Sequence, residues 1–143
     1  MNTLSVEKQS QIIESVLQGN ANSLGFNWGV EQLVDQLKVD QGSFLELNTK
    51  PVAFIIWKDL QSEAEIISLA TSPKVRRQGL MNRLLQQTIA ANGQISIWWL
   101  EVHAQNIEAL NLYKKMGFEM VRERQRYYSD GSSALILRKT TTP

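Results

Sequence analysis

Apolar residues first recur at helical spacing in Ile12, Ile13, Val16 and Leu17, which share one face, and Gly19-Asn20 is the stop that follows. Asn20 to Trp28 has no period and is expected to be a loop. A second short helix is predicted from Val30, Leu33, Val34 and Leu37, a stripe of i, i+3, i+4 and i+7 positions. The pattern then changes. Ser43 to Leu47, Val52 to Trp57 and Glu65 to Ala70 read as strands, joined by Asn48-Thr49-Lys50-Pro51 and by the polar stretch Lys58 to Ala64. Connections this short predict an antiparallel meander.

Helical spacing returns after Gly79, with Leu80, Leu84, Leu85 and Ile89 on one stripe and Asn92-Gly93 as the stop. Gln94 to Val102 is a strand of β-branched and aromatic residues. Asn106 is placed to cap a helix whose apolar face is Ala109, Leu112, Tyr113 and Met116, and Gly117 ends it. Phe118 to Tyr128 and Ser133 to Arg138 are expected to form a last hairpin around Asp130-Gly131.

The predicted order is α-α-β-β-β-α-β-α-β-β. Glu65 to Ala70, the helix after Gly79 and Gln94 to Val102 make a βαβ crossover, so those two strands are expected to be parallel neighbours. The fold class is therefore α/β (α+β): a mixed, mostly antiparallel sheet around a central parallel pair, with helices on both faces. A length of 143 residues suits a single domain spanning 1–143.

Composition narrows the function. Apolar residues at 43% and charged residues at 20% exclude a disordered chain. Lys+Arg 15 against Asp+Glu 14 leaves net charge +1, too even to attract nucleic acid or a membrane surface through bulk charge. With Cys 0 there is no disulfide, thiolate zinc site or cysteine nucleophile, and His 1 leaves any histidine-dependent triad to His103. No apolar run approaches a membrane span, and Met1 to Ser10 is too polar for a signal peptide. A soluble cytoplasmic protein with no metal is expected.

The stretch Leu69-Ala70-Thr71-Ser72-Pro73-Lys74-Val75-Arg76-Arg77-Gln78-Gly79-Leu80-Met81 carries the most chemistry. A strand ends, cations follow, and a glycine stands where a helix begins. Unpaired N–H groups at that helix start suit a phosphate, Gly79 permits close approach, and Arg76 and Arg77 add charge. A basic turn that merely precedes a helix has the same spacing.

Pro73 to Leu80 resembles the acetyl-CoA loop of GNAT acetyltransferases, written Arg/Gln-x-x-Gly-x-Gly/Ala, which Arg76 and Gly79 match. Met81 departs from the small residue usual there, and its bulk is expected either to narrow the pyrophosphate cradle or to turn elsewhere. Trp99-Leu100-Glu101-Val102-His103-Ala104-Gln105-Asn106, Ala109, Leu112-Tyr113, Gly117-Phe118, Arg126-Tyr127-Tyr128, Asp130-Gly131 and Ala134 resemble the bacterial ribosomal-protein-alanine N-acetyltransferase (RimI-like) branch. The likeness is close from about Ala64 to Arg138. It is looser earlier, where Phe26-Asn27-Trp28 stands in for Phe-Pro-Trp, and His103 replaces an Arg.

The resemblance implies acetyl transfer from acetyl-CoA to an amine, with a protein N-terminal alanine as acceptor. Leu69, Ala70, Thr71, Arg76, Arg77, Gln78, Gly79, Leu80, Met81, Asn82 and Asn106 become the acetyl-CoA contacts, with Leu69 and Thr71 offering strand-edge backbone to the pantetheine arm. By sequence alone Glu101, on the face of Ile95, Ile97 and Trp99, reads first as an ordinary solvated glutamate at a strand end, and second as a partly desolvated and so stronger base; the resemblance makes it the proton acceptor. Tyr113 by itself reads as a core aromatic; the resemblance makes it the acid that reprotonates the CoA sulfur.

The remaining residues have plainer readings. His103 is expected to be a satisfied surface residue, and Trp98 and Trp99 core, one on each face. Trp28 is a candidate for the acceptor entrance, and Tyr127 or Tyr128 for a cover over the acceptor. Arg122, Arg124 and Arg126 should form one charged strand face. Two other acceptors remain open, a small amine and a lysine side chain, as does a second class of function, a non-catalytic acyl-CoA sensor for which Met81 is the argument.

Overall fold

A computed structural model describes residues 5–17, 30–75 and 78–141. The Gly19-Asn20 stop, the Asn20 to Trp28 loop with its Phe26-Asn27-Trp28, and Arg76 and Arg77 lie outside the described residues. The elements are α1 (Val6–Leu17), α2 (Val30–Leu37), β1 (Gln41–Leu47), β2 (Lys50–Asp59), β3 (Glu63–Thr71), a 3-10 turn over Pro73–Val75, α3 (Leu80–Ala91), β4 (Ile97–His103), α4 (Ile107–Lys115), β5 (Glu119–Arg124) and β6 (Ala134–Thr140). The predicted order of helices and strands holds. Six strands form one sheet in the order β1-β2-β3-β4-β6-β5, and only β3 and β4 run parallel.

The apolar stripes bury as their spacing requires. Leu80, Leu84 and Leu85 of α3, and Tyr113 and Met116 at α4, pack against one sheet face with Ala53, Ile55, Ile66, Trp98, Leu100 and Val102. Ile12, Ile13 and Val16 of α1 and Leu33 and Leu37 of α2 pack on the opposite face against Phe54, Ile56 and Ala70. The second helix pair covers only part of its face: α1 packs over β2 and β3, and α2 over β2.

Several boundaries differ from expectation, each for a local reason. The β1–β2 connection is two residues, not four: Asn48 (φ 52) and Thr49 (φ 66) are both left-handed, and Leu47 already pairs with Lys50. That geometry matches the twist of a tight hairpin, so Lys50 and Pro51 join β2. The strand predicted to reach Tyr128 stops at Arg124, and Arg126 has φ 54 in the turn. Arg122 and Arg124 therefore share a strand face, which Arg126 does not extend. The first three residues of the Gln94 to Val102 stretch precede β4, which starts at Ile97.

Two irregularities place the site. Register between β2 and β3 jumps from Trp57↔Ile66 to Ile56↔Ser68, leaving Ile67 as the extra residue of a bulge. A bulge bends its strand and increases local twist. The β3–β4 pairing accordingly ends at Ile66↔Leu100, although β3 runs on to Thr71 and β4 to His103. The parallel pair splays there, and a gap opens in the middle of the sheet.

Candidate active site

The gap is bounded by the C-terminal ends of two parallel strands, where open α/β sheets collect ligands. On one side run Leu69, Ala70 and Thr71, paired to Ile55, Phe54 and Ala53 of β2. Leu69 packs into the α3–α4 core and Ala70 is buried under α1 and α2. Their side chains are thus committed to the core. On the other side, Glu101, Val102 and His103 pair with Ile136, Leu135 and Ala134 of β6.

Glu101 lies between buried Leu100 and Val102, so alternation turns it to the face opposite α3 and α4. The same alternation puts Trp99 on that face. Trp99 is half-buried, donates its indole N–H to Glu63 Oε1 at 2.7 Å and lies under the Arg138 guanidinium at 5.7 Å. Trp98 is fully buried as expected, but Trp99 is not a second core residue.

The Glu101 side chain is 30% exposed, and Arg124 Nε lies 3.5 Å from its Oε1. Arg124 comes from β5, a charge partner that sequence alone could not supply. Tyr128 is close enough for Glu101 to act on it. Burial is the larger influence raising the Tyr128 hydroxyl above its ordinary 10.0, followed by the charge of Glu101 and then Tyr127.

Tyr113 is on the other face. It is buried in the α3–α4 core and meets the Phe118 ring edge-on, with centroids 5.8 Å apart. Gly117, at φ +87, ends α4 so that the Phe118 N–H reaches Tyr113 O at 2.9 Å, which fixes both rings. Burial alone pushes the Tyr113 hydroxyl far above its ordinary 10.0. Glu101 and Tyr113 thus belong to opposite faces of the split strand.

The predicted anion cradle is at the start of α3. Gly79 caps the helix in the left-handed region (φ 74, ψ 13), with no side chain accepting from the first turn and no acid in it. The N–H groups of Leu80, Met81 and Asn82 precede the first intrahelical donor, the Arg83 N–H bonded to Gly79 O at 3.0 Å. Among the described residues, and beyond its own chain neighbours, no atom stands within 4 Å of where a Cβ on Gly79 would be. Gln78 is exposed beside it.

Met81 is 6% exposed and packed in the core with Leu80, so its side chain turns away from the helix start. The cradle is not narrowed, and the one argument for a non-catalytic sensor goes with it. Asn82 Oδ1 is buried and accepts no hydrogen bond among the described residues. Asn106 caps α4 as predicted, its Oδ1 accepting the Ala109 N–H at 3.1 Å.

His103 is not a surface residue: it is 4% exposed at the end of β4. Its Nδ1 accepts the Gln105 N–H at 3.1 Å and its ring stacks on Tyr128. Neither that stack nor the Ile67 bulge has a local sequence signal, since both depend on chain segments far apart.

Comparison with known proteins places the sequence and the fold. The sequence profile described as the acetyltransferase (GNAT) family matches residues 17–118. A [ribosomal protein bS18]-alanine N-acetyltransferase of Haemophilus ducreyi is 33% identical over 138 residues, covering 85% of this chain and 92% of that protein. An N-alpha-acetyltransferase of Sulfurisphaera tokodaii is 28% identical over 142 residues, covering 87% and 85%. The crystal structure of the ribosomal-protein-S18-alanine N-acetyltransferase from Escherichia coli superposes with TM-score 0.80 at 26% identity, over 100% of this chain and 92% of that one.

Proposed function

The chain belongs to the GNAT acetyltransferase family, whose acetyl donor is acetyl-CoA, and on that premise we propose that its acceptor is the N-terminal α-amine of a protein. A ribosomal protein beginning with alanine is the implied substrate, by similarity to the bS18-alanine acetyltransferases. The observation that carries the reading is the gap beyond Ile66↔Leu100, with Glu101 on one face of β4 and Tyr113 under the other. An amine arriving on the Glu101 face would meet a thioester held in the gap.

Acetyl-CoA would be held by the Leu80, Met81 and Asn82 N–H groups beyond Gly79, by Arg76, Arg77 and Gln78, by Asn106, and by the backbone of Leu69, Ala70 and Thr71. Leu80, Met81, Leu69 and Ala70 can contribute only main chain, because their side chains are in the core. Free N–H groups at the positive end of a helix suit the charge of a pyrophosphate.

An α-amine titrates near 7.7–8.0, so roughly a tenth or more of it is already neutral at pH 7, and a carboxylate need only take the proton its nitrogen sheds once the attack makes it acidic. The neutral amine attacks the thioester carbon, and Glu101 takes one proton from that nitrogen as the bond forms. The C–N bond forms, the C–S bond breaks, and the electron pair leaves on sulfur. Tyr113, kept protonated by burial, donates its hydrogen to the departing thiolate. Its raised value makes full transfer uphill, so its contribution is greatest as a hydrogen bond that tightens as charge grows on sulfur. The net change moves one proton from nitrogen to sulfur. We place this reaction in the cytoplasm and assign it to a single domain over residues 1–143.

The test is thiol release from acetyl-CoA by Glu101→Gln and Tyr113→Phe, alongside calorimetric binding of acetyl-CoA. Both variants should lose turnover by about 10²-fold or more while still binding the donor. Turnover near wild type in both would remove them from the chemistry.

A further inference from the structure

The connection between β5 and β6, residues 125–133, leads into the strand paired with β4. At its β6 end the Ala104 N–H donates to Ser133 O at 2.9 Å, while the bonds of its tip are local. The Tyr128 N–H donates to Ser132 O at 3.0 Å and the Gly131 N–H to Tyr128 O at 2.9 Å. Asp130 accepts the Ser132 N–H at 2.9 Å, and that bond with the Ser132 hydroxyl holds its carboxyl below the usual range. The Ser133 bond anchors the β6 end of the turn beside β4, and the contacts at Tyr128, Gly131 and Ser132 shape the tip without fixing it against β4.

His103 supplies that fix. It follows Glu101 by two residues on β4, so both face the same way. The Gln105 N–H donates to Nδ1, so in the neutral ring Nε2 carries the hydrogen, 3.8 Å from Asp130 Oδ2. The Tyr128 ring stacks on the imidazole with centroids 4.8 Å apart and planes 19° apart. Tyr127 meets Tyr128 edge-on at 5.2 Å, Arg124 lies over Tyr127 at 5.4 Å, and Arg124 reaches Glu101 at 3.5 Å. The circuit starts and ends on β4, two residues apart, and encloses the approach to Glu101.

We propose that His103 is a positioning residue for the acceptor: its ring holds Tyr128 as a wall beside Glu101, and so governs acceptor binding but not acetyl-CoA binding. The proposal rests on the reading that the acceptor enters on the Glu101 face. The donor cradle at Gly79 lies at the start of α3, which packs on the opposite sheet face.

The test compares KM for an N-terminal peptide with KM for acetyl-CoA in His103→Asn, His103→Phe and Tyr128→Ala. Asn keeps an acceptor for the Gln105 N–H but removes the stack. It should raise peptide KM about two- to tenfold, the worth of one aromatic pair, with acetyl-CoA KM unchanged. Tyr128→Ala, in the turn, should give the same rise, and adding His103→Asn to it should give no more. His103→Phe keeps a ring and should recover most of the loss.

Equal changes in both KM values, or a further loss on adding His103→Asn to Tyr128→Ala, would reduce His103 to a structural role and overturn the proposal. So would a wild-type peptide KM in Tyr128→Ala. A wild-type enzyme silent on every N-terminal peptide overturns the acceptor reading itself, and this inference with it.

Discussion

Gly79 allows the donor cradle to be tested separately from the stability of the helix it begins. Gly79→Ala adds a methyl group at φ 74, ψ 13. Among the described residues no atom other than its chain neighbours lies within 4 Å of the new Cβ, so none of them clashes. What remains is backbone strain, about 1–2 kcal/mol for a non-glycine residue in the left-handed region. At this chain length that should lower Tm by roughly 3–8 °C. Gly79→Asn carries the same Cβ but enters the left-handed region more readily, and should recover part of that loss. Acetyl-CoA affinity should not follow. In both variants the Cβ occupies space that a pyrophosphate needs in order to reach the helix N–H groups, and binding should weaken by about tenfold, or ~1.4 kcal/mol. Calorimetric titration with CoA, read beside thermal unfolding, gives both numbers for each variant. If affinity is unchanged in both, or returns with stability in the asparagine variant, Gly79 is only a helix cap and the phosphates are held elsewhere.

Thr49→Gly relieves a β-branched residue at φ 66 and should stabilise the fold by about 1 kcal/mol, seen as a higher urea midpoint at constant slope; an unchanged midpoint would contradict the strain. Asn106→Ala removes the oxygen that accepts the Ala109 N–H at 3.1 Å, and should lower unfolding free energy by about 1 kcal/mol; a neutral result would mean the cap is solvated. Tyr113 is raised in the folded state relative to an unfolded value near 10, so its stability contribution is intact below pH 10 and lost above it, at up to about 1.4 kcal/mol per pH unit. Tyr113→Phe should flatten that alkaline loss, and an equally steep decline in the variant would mean that another group causes it.

What the sequence discloses here is what short-range spacing controls. The stripe Leu80, Leu84, Leu85 points α3 into the core, and Asn106 and Gly117 bracket α4, because caps and periodicity act within a turn or two of helix. The parallel pair follows from chain order alone. The gap itself was not legible from composition. It exists because Ile67 is an extra residue against Ile56 and Trp57, a register fact shared by two strands. Glu101 could be placed on a face by alternation, but its partner Arg124 comes from β5, and Trp99 left the core because Glu63 and Arg138 reach it from neighbouring strands. Asn48 and Thr49 misled for another reason: Pro51 reads as a turn residue, yet the left-handed pair before it had already reversed the chain.

The central claim is that acetyl goes from acetyl-CoA to an α-amine, and one substrate tests it: a peptide with a free N-terminal alanine and one internal lysine. After incubation with enzyme and acetyl-CoA, fragment mass spectrometry locates the acetyl group. The account predicts acetylation of the alanine nitrogen with the lysine untouched, and loss of the reaction when the N-terminus is blocked. Acetyl on the lysine, undiminished by that block, would contradict it.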